Sequence, residues 1–429
     1  MTAAGGTGRT GGTLGRGVRQ TAGFALGMVV LAVASLLLVP ALIAAGGPRA
    51  WGAVAVGQSV GTVAAVLIGL GWGVSGPAVV ARAGTAVRRR EFLDAVLARG
   101  VVAVPVVAVA AGLAAVLAPG HRPLAALAAV ALSLVGLSAN WYFVGTAAPW
   151  ALLLTETVPR AAGSLVGVTL LHGGAAPAVG IGAQAGGILV GVLASTLYVT
   201  TRTRAAGPTP PRRTVRRVIA GQRHGVATTV LSAAYGAAPV LLVSLLSPAA
   251  LPVYALVDKL QRQVYVAATP VVVVLQGWVA RASGRTMRAR IRRSHVLVLA
   301  ATTTGGALVT VLHEPVFDWF GAGEVEVPVA VVALAALWLL LNLQESVAAR
   351  VALVPLGRID LVARVTAIGT AVGLTAVAVL TVFWGAVGAL VGICLGLVLR
   401  LTLCLYGARA GAAPSARPVP DAVHQEVTT

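Results

Sequence analysis

Charged side chains are rare in this chain, and a few of them stand inside its most apolar segments. The stretch LTETVPR places Glu156 and Arg160 at i,i+4 spacing. The stretch VDKLQRQ places Asp258 and Arg262 at the same spacing, with Lys259 beside them. Guanidinium and ammonium groups bind phosphate oxygens, whereas a buried carboxylate can neutralise them or carry a proton or sodium ion. These residues therefore predict binding of an anion, transfer of a cation, or both.

The composition places these charges in a membrane protein. Of the 429 residues, 58% are hydrophobic and only 10% are charged, whereas a soluble chain carries roughly a quarter charged residues. The net charge of +20 does not indicate a nucleic-acid partner, because the basic residues lie in short runs between apolar stretches. Cys394 and Cys404 share one apolar segment, and no pattern of Cys and His predicts a metal site or another cofactor.

Twelve apolar segments are long enough to cross a bilayer, which takes about 20 residues per helix. The first segment is too long for a signal peptide and lacks a small-residue cleavage site, so we expect a retained helix. The predicted spans are 22–45, 52–79, 101–119, 123–145, 150–171, 176–199, 226–247, 251–280, 296–312, 328–349, 359–382 and 385–406.

The distribution of arginine predicts the orientation. With the N-terminus in the cytoplasm, 25 of the 32 Lys and Arg residues, Arg82 and Arg99 among them, fall in cytoplasmic segments. The outer loops hold only Arg49 and Arg122, and the outer loop 313–327 has four acidic and no basic residues. The excess of Arg, with a single Lys, is typical of a GC-rich bacterial genome. We therefore expect a multi-pass protein of the bacterial cytoplasmic membrane with both termini inside.

A short repeat predicts two lobes. VVARAGTAVRRR (79–90) ends the second span and WVARASGRTMRAR (278–290) ends the eighth, six spans later. An even number of spans per half makes the repeat parallel. The predicted fold is an all-α polytopic membrane protein with about twelve helices in two parallel-repeat six-helix lobes around a central cavity. The predicted units are an N-terminal lobe, a basic cytoplasmic linker, a C-terminal lobe and a disordered cytoplasmic tail, at 1–200, 201–225, 226–407 and 408–429.

Arg160 lies about ten residues into the fifth span, hence about 15 Å deep, and cannot easily reach the headgroups. Two interpretations remain open, an intrahelical ion pair with Glu156 and a side chain that faces a wet cavity. Pro159 predicts a kink beside it. For the charged start of the eighth span, the alternatives are an aqueous opening and a helix end among the headgroups.

Other intramembrane charges have simpler interpretations. We expect Glu345 and Arg364 to pair with each other or with Arg350 and Asp360, and Arg400 to snorkel to the membrane surface. Trp141 and Tyr142 lie near the inner end of the fourth span, where an interfacial aromatic belt is expected.

Three stretches resemble the polysaccharide flippases of the multidrug/oligosaccharidyl-lipid/polysaccharide exporter superfamily, which translocate O-antigen and exopolysaccharide repeat units. NWYFVGTAAPWALLLTETVPR (140–160) resembles their fourth-to-fifth helix hairpin, VYALVDKLQRQVYVAATPVVVVLQGWVAR (253–281) their eighth helix and PLGRIDLVARVTAIGTAVGL (355–374) their eleventh. The resemblance implies two lobes in a V, alternating access, and an undecaprenyl-pyrophosphate-linked oligosaccharide as cargo.

The resemblance also assigns residues. Cavity cations that attract the pyrophosphate match Arg160, Lys259 and Arg262, and Arg19 and Arg82 match cavity arginines of the related lipid II flippases loosely. We predict sugar contacts at Asn140, Trp141 and Gln276. The candidates for a coupling ion, H⁺ or Na⁺, are Glu156, Asp258 and Glu345. Partners would be the lipid-linked oligosaccharide, membrane lipids and polysaccharide-assembly proteins, with no nucleic acid.

Two other function classes stay open. A drug/cation antiporter of the same superfamily would need acidic rather than basic residues in the cavity. A membrane polymerase or ligase would need a sizeable outer loop with catalytic residues, and 313–327 is the longest outer loop. The sequence favours a transporter over an enzyme.

Overall fold

The computed structural model describes the backbone of residues 10–204 and 211–410. Side chains are described from Ala22 onward within these ranges, except at 223–225, 227, 228, 409 and 410. All regular secondary structure in the described ranges is helical. The spanning helices are α1 (10–46), α2 (48–82), α3 (Thr85–Leu117), α4 (Arg122–Gly145), α5 (149–172), α6 (Pro177–Arg202), α7 (Arg223–Leu246), α8 (Leu251–Ala280), α9 (Gly284–Val311), α10 (Val329–Leu353), α11 (359–384) and α12 (386–410).

The count of twelve agrees with the sequence prediction. Among the described residues, nine continuous helical stretches are long and apolar enough to cross a membrane. Two of these, Ala22–Arg82 and Ile359–Ala408, each contain two helices joined at a glycine, and the segment 149–172 is divided into shorter pieces by a π-helical turn. The glycine breaks divide two of the nine stretches into four helices, which gives eleven. The segment 149–172 is the twelfth.

Two glycines turn the chain back at the ends of helices. Thr10–Gly69 has 60 helical residues, which would make a straight rod about 90 Å long, far more than a bilayer's hydrocarbon thickness. Gly47 breaks this helix with φ of 76°, and Gly385 breaks the α11–α12 helix with φ of 53°. Residues with a Cβ rarely adopt this left-handed conformation, so glycine permits each reversal.

The helices form two lobes, α1–α6 and α7–α12, which meet where α1 and α2 pack against α7 and α8. This arrangement confirms the predicted fold class. We call the end with Gly47, Gly385 and the 312–328 loop the acidic end. The opposite end, with the loops after α2, α6 and α8, we call the arginine-rich end.

Packing between the lobes differs at the two ends. At the acidic end one hydrophobic core is continuous across both lobes, with Trp51, Val54 and Val56 against Leu251 and Tyr254. At the arginine-rich end each lobe has separate cores, one around Trp141 and others around Val347 and Leu353. The lobes are therefore sealed at the acidic end and separate toward the arginine-rich end.

The predicted linker does more than connect the lobes. Its Arg213 donates to Glu91 Oε2 at 2.6 Å and to Asp94 Oδ2 at 3.0 Å, both at the start of α3. Burial lowers the pKa of Arg213, but its hydrogen bonds with the two carboxylates outweigh burial and raise that pKa overall. A short helix, Val215–Gly221, then packs on α3. Residues 205–210 of the linker, and most of the predicted tail (411–429), lie outside the described residues.

Candidate functional site

A cavity between the lobes has two joined compartments. The deep compartment, toward the acidic end, has a volume of about 370 Å³, and the entry compartment, toward the arginine-rich end, about 690 Å³. Both volumes fall within the range of small-molecule sites. Met28, Leu31, Thr62 and Arg160 line both compartments, so the two are continuous.

Arg160 stands where the two compartments meet. A π-helical turn, Leu153–Thr157, interrupts α5 just before it, and Pro159 falls in the first turn of the helix that follows. Because the preceding turn is also helical, the missing N–H of proline removes one helical hydrogen bond at this point of α5. The Arg160 guanidinium has no hydrogen bond or ion pair to any residue in the described part of the chain. Of the two interpretations left open by the sequence, the intrahelical ion pair with Glu156 is not formed, and the guanidinium faces the cavity.

The opposite wall of the deep compartment is formed by α8. Lys259 donates from Nζ to Gln58 Oε1 of α2 at 3.0 Å, which ties the two lobes together. Arg262 binds Asp258 through two hydrogen bonds, Nε to Oδ2 at 2.6 Å and Nη2 to Oδ1 at 3.0 Å, and its Nη2 also donates to the Gly236 carbonyl. Its side chain remains 41% exposed, so the paired guanidinium still faces the cavity.

Neutral polar groups complete the deep compartment. Trp51 and Gln184 line it, and each has a buried polar atom without a hydrogen-bond partner, Nε1 of Trp51 and Oε1 of Gln184. Buried polar groups are normally paired with protein or water. Both atoms are buried, so they belong to the packing of the wall and do not face the space of the compartment.

Glu156 is occupied by a break in α4. The helix tightens to 3₁₀ geometry over Leu134–Leu137 and resumes at Asn140. Glu156 Oε1 accepts from the Ala139 N–H at 2.6 Å, and its second oxygen accepts from the Ser138 hydroxyl. A carboxylate at the start of a helix satisfies orphan N–H groups and complements the positive end of the helix dipole. Glu156, 2% exposed, thus stabilises the second half of α4.

Arg99 holds the other side of the same break. Its Nη1 donates to the Ser138 carbonyl at 2.8 Å and to the Gly136 carbonyl at 3.3 Å, where the first half of α4 ends. A cation at a helix C-terminus is the complement of an anion at an N-terminus. The guanidinium lies 6.0 Å from the Trp72 ring and 5.8 Å from the Trp141 ring. The sequence placed Arg99 in a cytoplasmic segment between spans, and the structure places it within α3 with its side chain 2% exposed.

The predicted sugar-contact residues divide. Asn140 is exposed and lines the entry compartment. Trp141 also lines it, but packs with Trp72, Phe92 and Tyr142 in a buried aromatic cluster. The interfacial belt expected for Trp141 and Tyr142 was therefore wrong, because both rings face protein rather than headgroups.

Several other predicted site residues lie away from the cavity. Gln276 and the exposed Arg82 are outside the lining of both compartments. Arg19 lies in α1, but its side chain is not among those described. Glu345 is buried and accepts from Arg400 Nη2 at 2.6 Å. The expected snorkelling of Arg400 was wrong, because packing of α12 on α10 brings it a carboxylate within the membrane.

Sequence reasoning missed three neutral residues of the deep compartment, Trp51, Gln58 and Gln184. The two glutamines interrupt apolar segments, which was an available signal. Trp51 follows the Gly47 turn and resembles any interfacial tryptophan in sequence.

Comparison with solved structures identifies the fold. A lipid II flippase, MurJ, in an inward closed conformation matches with a TM-score of 0.68 and 11% identity, over 91% of this chain and 87% of that one. A MOP superfamily transporter from Pyrococcus furiosus, described by the reverse polarity of its binding pocket, matches with a TM-score of 0.56 and 12% identity. The match covers 91% of this chain and 94% of that one. A multidrug resistance MATE family transporter in an inward-facing conformation matches with a TM-score of 0.53 and 13% identity. The match covers 90% of this chain and 97% of that one. No family model and no curated protein matches the sequence. The chain therefore has the two-lobe helical fold of the MOP-superfamily flippases and transporters.

Proposed function

We propose that this protein is a flippase for undecaprenyl-pyrophosphate-linked oligosaccharide repeat units in cell-surface polysaccharide synthesis. The observation that carries the proposal is the free Arg160 guanidinium, which shares a cavity with Lys259 and Arg262 of the opposite lobe. Pyrophosphate oxygens would accept hydrogen bonds from both lobes at once.

The physical problem is the headgroup. Moving an ion of this size from water into a medium of low dielectric constant costs on the order of 20 kcal/mol in the idealised limit. The fixed cations Arg160, Lys259 and Arg262 would replace part of the lost hydration. The lipid chain can stay in the bilayer throughout, so the protein needs to shelter only the polar end.

The charge balance of the cavity argues against the drug/cation antiporter. Among the described residues, Glu156 and Asp258 are the carboxylates that line the compartments, and both are already hydrogen-bonded, one to α4 and one to Arg262. Arg160 is unpaired. An incoming cation would meet a free positive charge, whereas an anion would find a partner. The lipid II flippase with this fold moves a lipid-linked substrate, which supports the same choice.

The transport step follows from the packing of the lobes. The arginine-rich end would face the cytoplasm, where the headgroup enters between the separated lobes. Release would require the continuous core at the acidic end to part, together with the Lys259–Gln58 hydrogen bond. Glu345, paired with Arg400 outside the cavity, is less suited to carry a coupling ion than Glu156 or Asp258.

Two variants, each of which removes one charge, test the choice between the functions. We expect Arg160→Gln to abolish translocation of undecaprenyl-pyrophosphate-linked saccharide in proteoliposomes. Glu156→Gln can still accept the Ala139 N–H and should retain most of the activity. In a cation antiporter the order is reversed, and Glu156→Gln is the damaging change. Arg364→Gln is the matched control, because Arg364 is exposed and lies outside the cavity lining.

A cellular measurement tests the cargo. In a strain whose own gene is deleted, Arg160→Ala and Arg262→Ala should lose polymer export while still inserting in the membrane. Full export by the double variant would contradict the proposal.

A further inference from the structure

A second cavity lies on the outer side of the seam between the lobes. It has a volume of about 410 Å³ and is walled by α2, α3 and α7. Its lining consists of Ala, Val, Leu and Pro side chains only. Residues from all three helices contribute, among them Val60, Ala64, Pro105, Val109, Ala238 and Leu241. We call this space the α2–α7 groove.

The α2–α7 groove opens toward the lipid. Val109 and Leu113 of its α3 wall are 69% and 46% exposed, and no other helix covers them in the described part of the chain. Both residues fall within a membrane-spanning helix, so the solvent at this opening is hydrocarbon. An apolar space at this depth is filled by a hydrocarbon chain rather than by water.

The α2–α7 groove adjoins the deep compartment. Ala237 contributes to the walls of both, and α2 presents Ser59 and Thr62 to the compartment and Val60 and Val63 to the groove. The contact between α2 and α7 around Ala237 therefore forms part of the wall between the cationic deep compartment and the apolar groove. A molecule with an anionic head and a hydrocarbon chain matches this pair of spaces.

We propose that the α2–α7 groove holds the polyprenyl chain of the substrate while the pyrophosphate lies against Arg160 and Lys259. The inference rests on the proposed function and adds the route of the lipid chain. The chain passes between α2 and α7 at Ala237, whose small side chain leaves the least to displace. The lipid thus stays in contact with hydrocarbon while its head occupies the cavity.

Filling the groove tests this placement. Ala238→Trp, on α7, and Val109→Trp, on α3, each place an indole in the groove. Leu231→Trp and Val104→Trp are the matched controls, because these residues of the same two helices are both 74% exposed and lie outside the groove lining. The full-length protein is reconstituted in nanodiscs, and binding of undecaprenyl pyrophosphate is compared with that of geranyl pyrophosphate. The two ligands share a headgroup and differ in chain length.

We expect each groove variant to weaken undecaprenyl pyrophosphate binding by about tenfold, because the indole occupies the space in which the chain makes its van der Waals contacts. Binding of geranyl pyrophosphate should change by less than about twofold in the groove variants, a small free-energy difference. Neither control should affect either ligand. Equal effects of the groove variants on both ligands, or none on either, overturn the placement.

A competitor separates the substrate chain from ordinary lipid. If the groove is a general lipid site, excess phosphatidylglycerol in the nanodisc will abolish the preference for the longer ligand, and the proposal is overturned. Arg160→Ala separates this inference from the proposed function. If that variant loses binding of both ligands, the headgroup site is supported. If it binds both as well as the wild type does, the headgroup site is contradicted, and the groove variants still test the site of the lipid chain on their own.

Discussion

Arg160 and Arg262 face the same cavity from opposite lobes, yet they stand in different electrostatic states. Arg160 has no partner in the described residues, whereas Arg262 is bound by both oxygens of Asp258 and by the Gly236 carbonyl. In the N-terminal lobe, Arg160 can bind an anion directly. In the C-terminal lobe, an anion must displace the Asp258 carboxylate before it can bind Arg262. We infer that a ligand binds Arg160 first and gains Arg262 only by competing with Asp258.

The largest effect is expected at the free cation. Arg160→Ala should weaken undecaprenyl pyrophosphate binding by about 10- to 100-fold, since a charge-assisted hydrogen bond contributes roughly 1.5–3 kcal/mol. The midpoint of thermal unfolding should barely change, because the substitution removes no bond within the described part of the protein. Calorimetric titration and a melting curve measure the two quantities. A large loss of stability would show that Arg160 has a structural partner after all.

Arg262→Ala should have the opposite profile, with stability affected first. Removing one member of a buried pair leaves Asp258 unpaired, which costs 3–5 kcal/mol for a fully buried pair. Because Arg262 is 41% exposed, we expect about 1–3 kcal/mol here. The double variant Asp258→Asn/Arg262→Ala should recover most of the loss in a denaturation assay. Equal stability of the single and double variants would mean that the pair contributes nothing.

Asp258→Asn alone tests the same comparison, because it removes the negative charge beside Arg262 and leaves its guanidinium without an ion pair, as in Arg160. The amide can still accept a hydrogen bond but no longer neutralises the guanidinium. Affinity for pyrophosphate should rise by about three- to tenfold, which corresponds to roughly 1 kcal/mol. Calorimetry with the wild type beside it is the measurement. A fall in affinity would show that Asp258 positions Arg262 for the ligand instead of competing with it.

The smallest effect is expected at the bond between the lobes. Gln58→Ala removes the acceptor of the Lys259 ammonium, but Lys259 lines the cavity and can bind water instead, so we expect a loss of only about 0.5–1.5 kcal/mol. The population open at the acidic end should therefore increase severalfold. Distances between spin labels on the 118–121 and 312–328 loops would report it. Thr62→Ala, at another α2 residue that lines the cavity, is the control that should leave those distances unchanged.

The sequence predicts the helices and the cavity cations for the same reason. Removing peptide groups or charges from water costs much free energy. A chain that crosses the membrane therefore needs helices of about 20 apolar residues, and the rare charges among them can be recognised from the sequence alone. Arg160, Lys259 and Arg262 were found this way, and all three line the deep compartment.

The partners of these charges are a property of packing. Glu156 is four residues from Arg160 along the chain but binds the break in α4, and Glu345 binds Arg400 from another helix. No local spacing predicts either choice. The burial of Arg99 was not predicted for a related reason, since packing against neighbouring helices decides which part of a side chain is exposed. Trp51, Gln58 and Gln184 carry no charge, so their presence in a span is a weaker signal.

The sealed acidic end has a consequence for the membrane itself. The core around Trp51, Tyr254 and Leu256 closes the deep compartment at this end, and in the proposed flippase it would insulate one side of the membrane from the other. In the proposed function, this core would hold back protons and small ions whenever no cargo is in transit. Loosening it would dissipate the transmembrane potential before any cargo was moved.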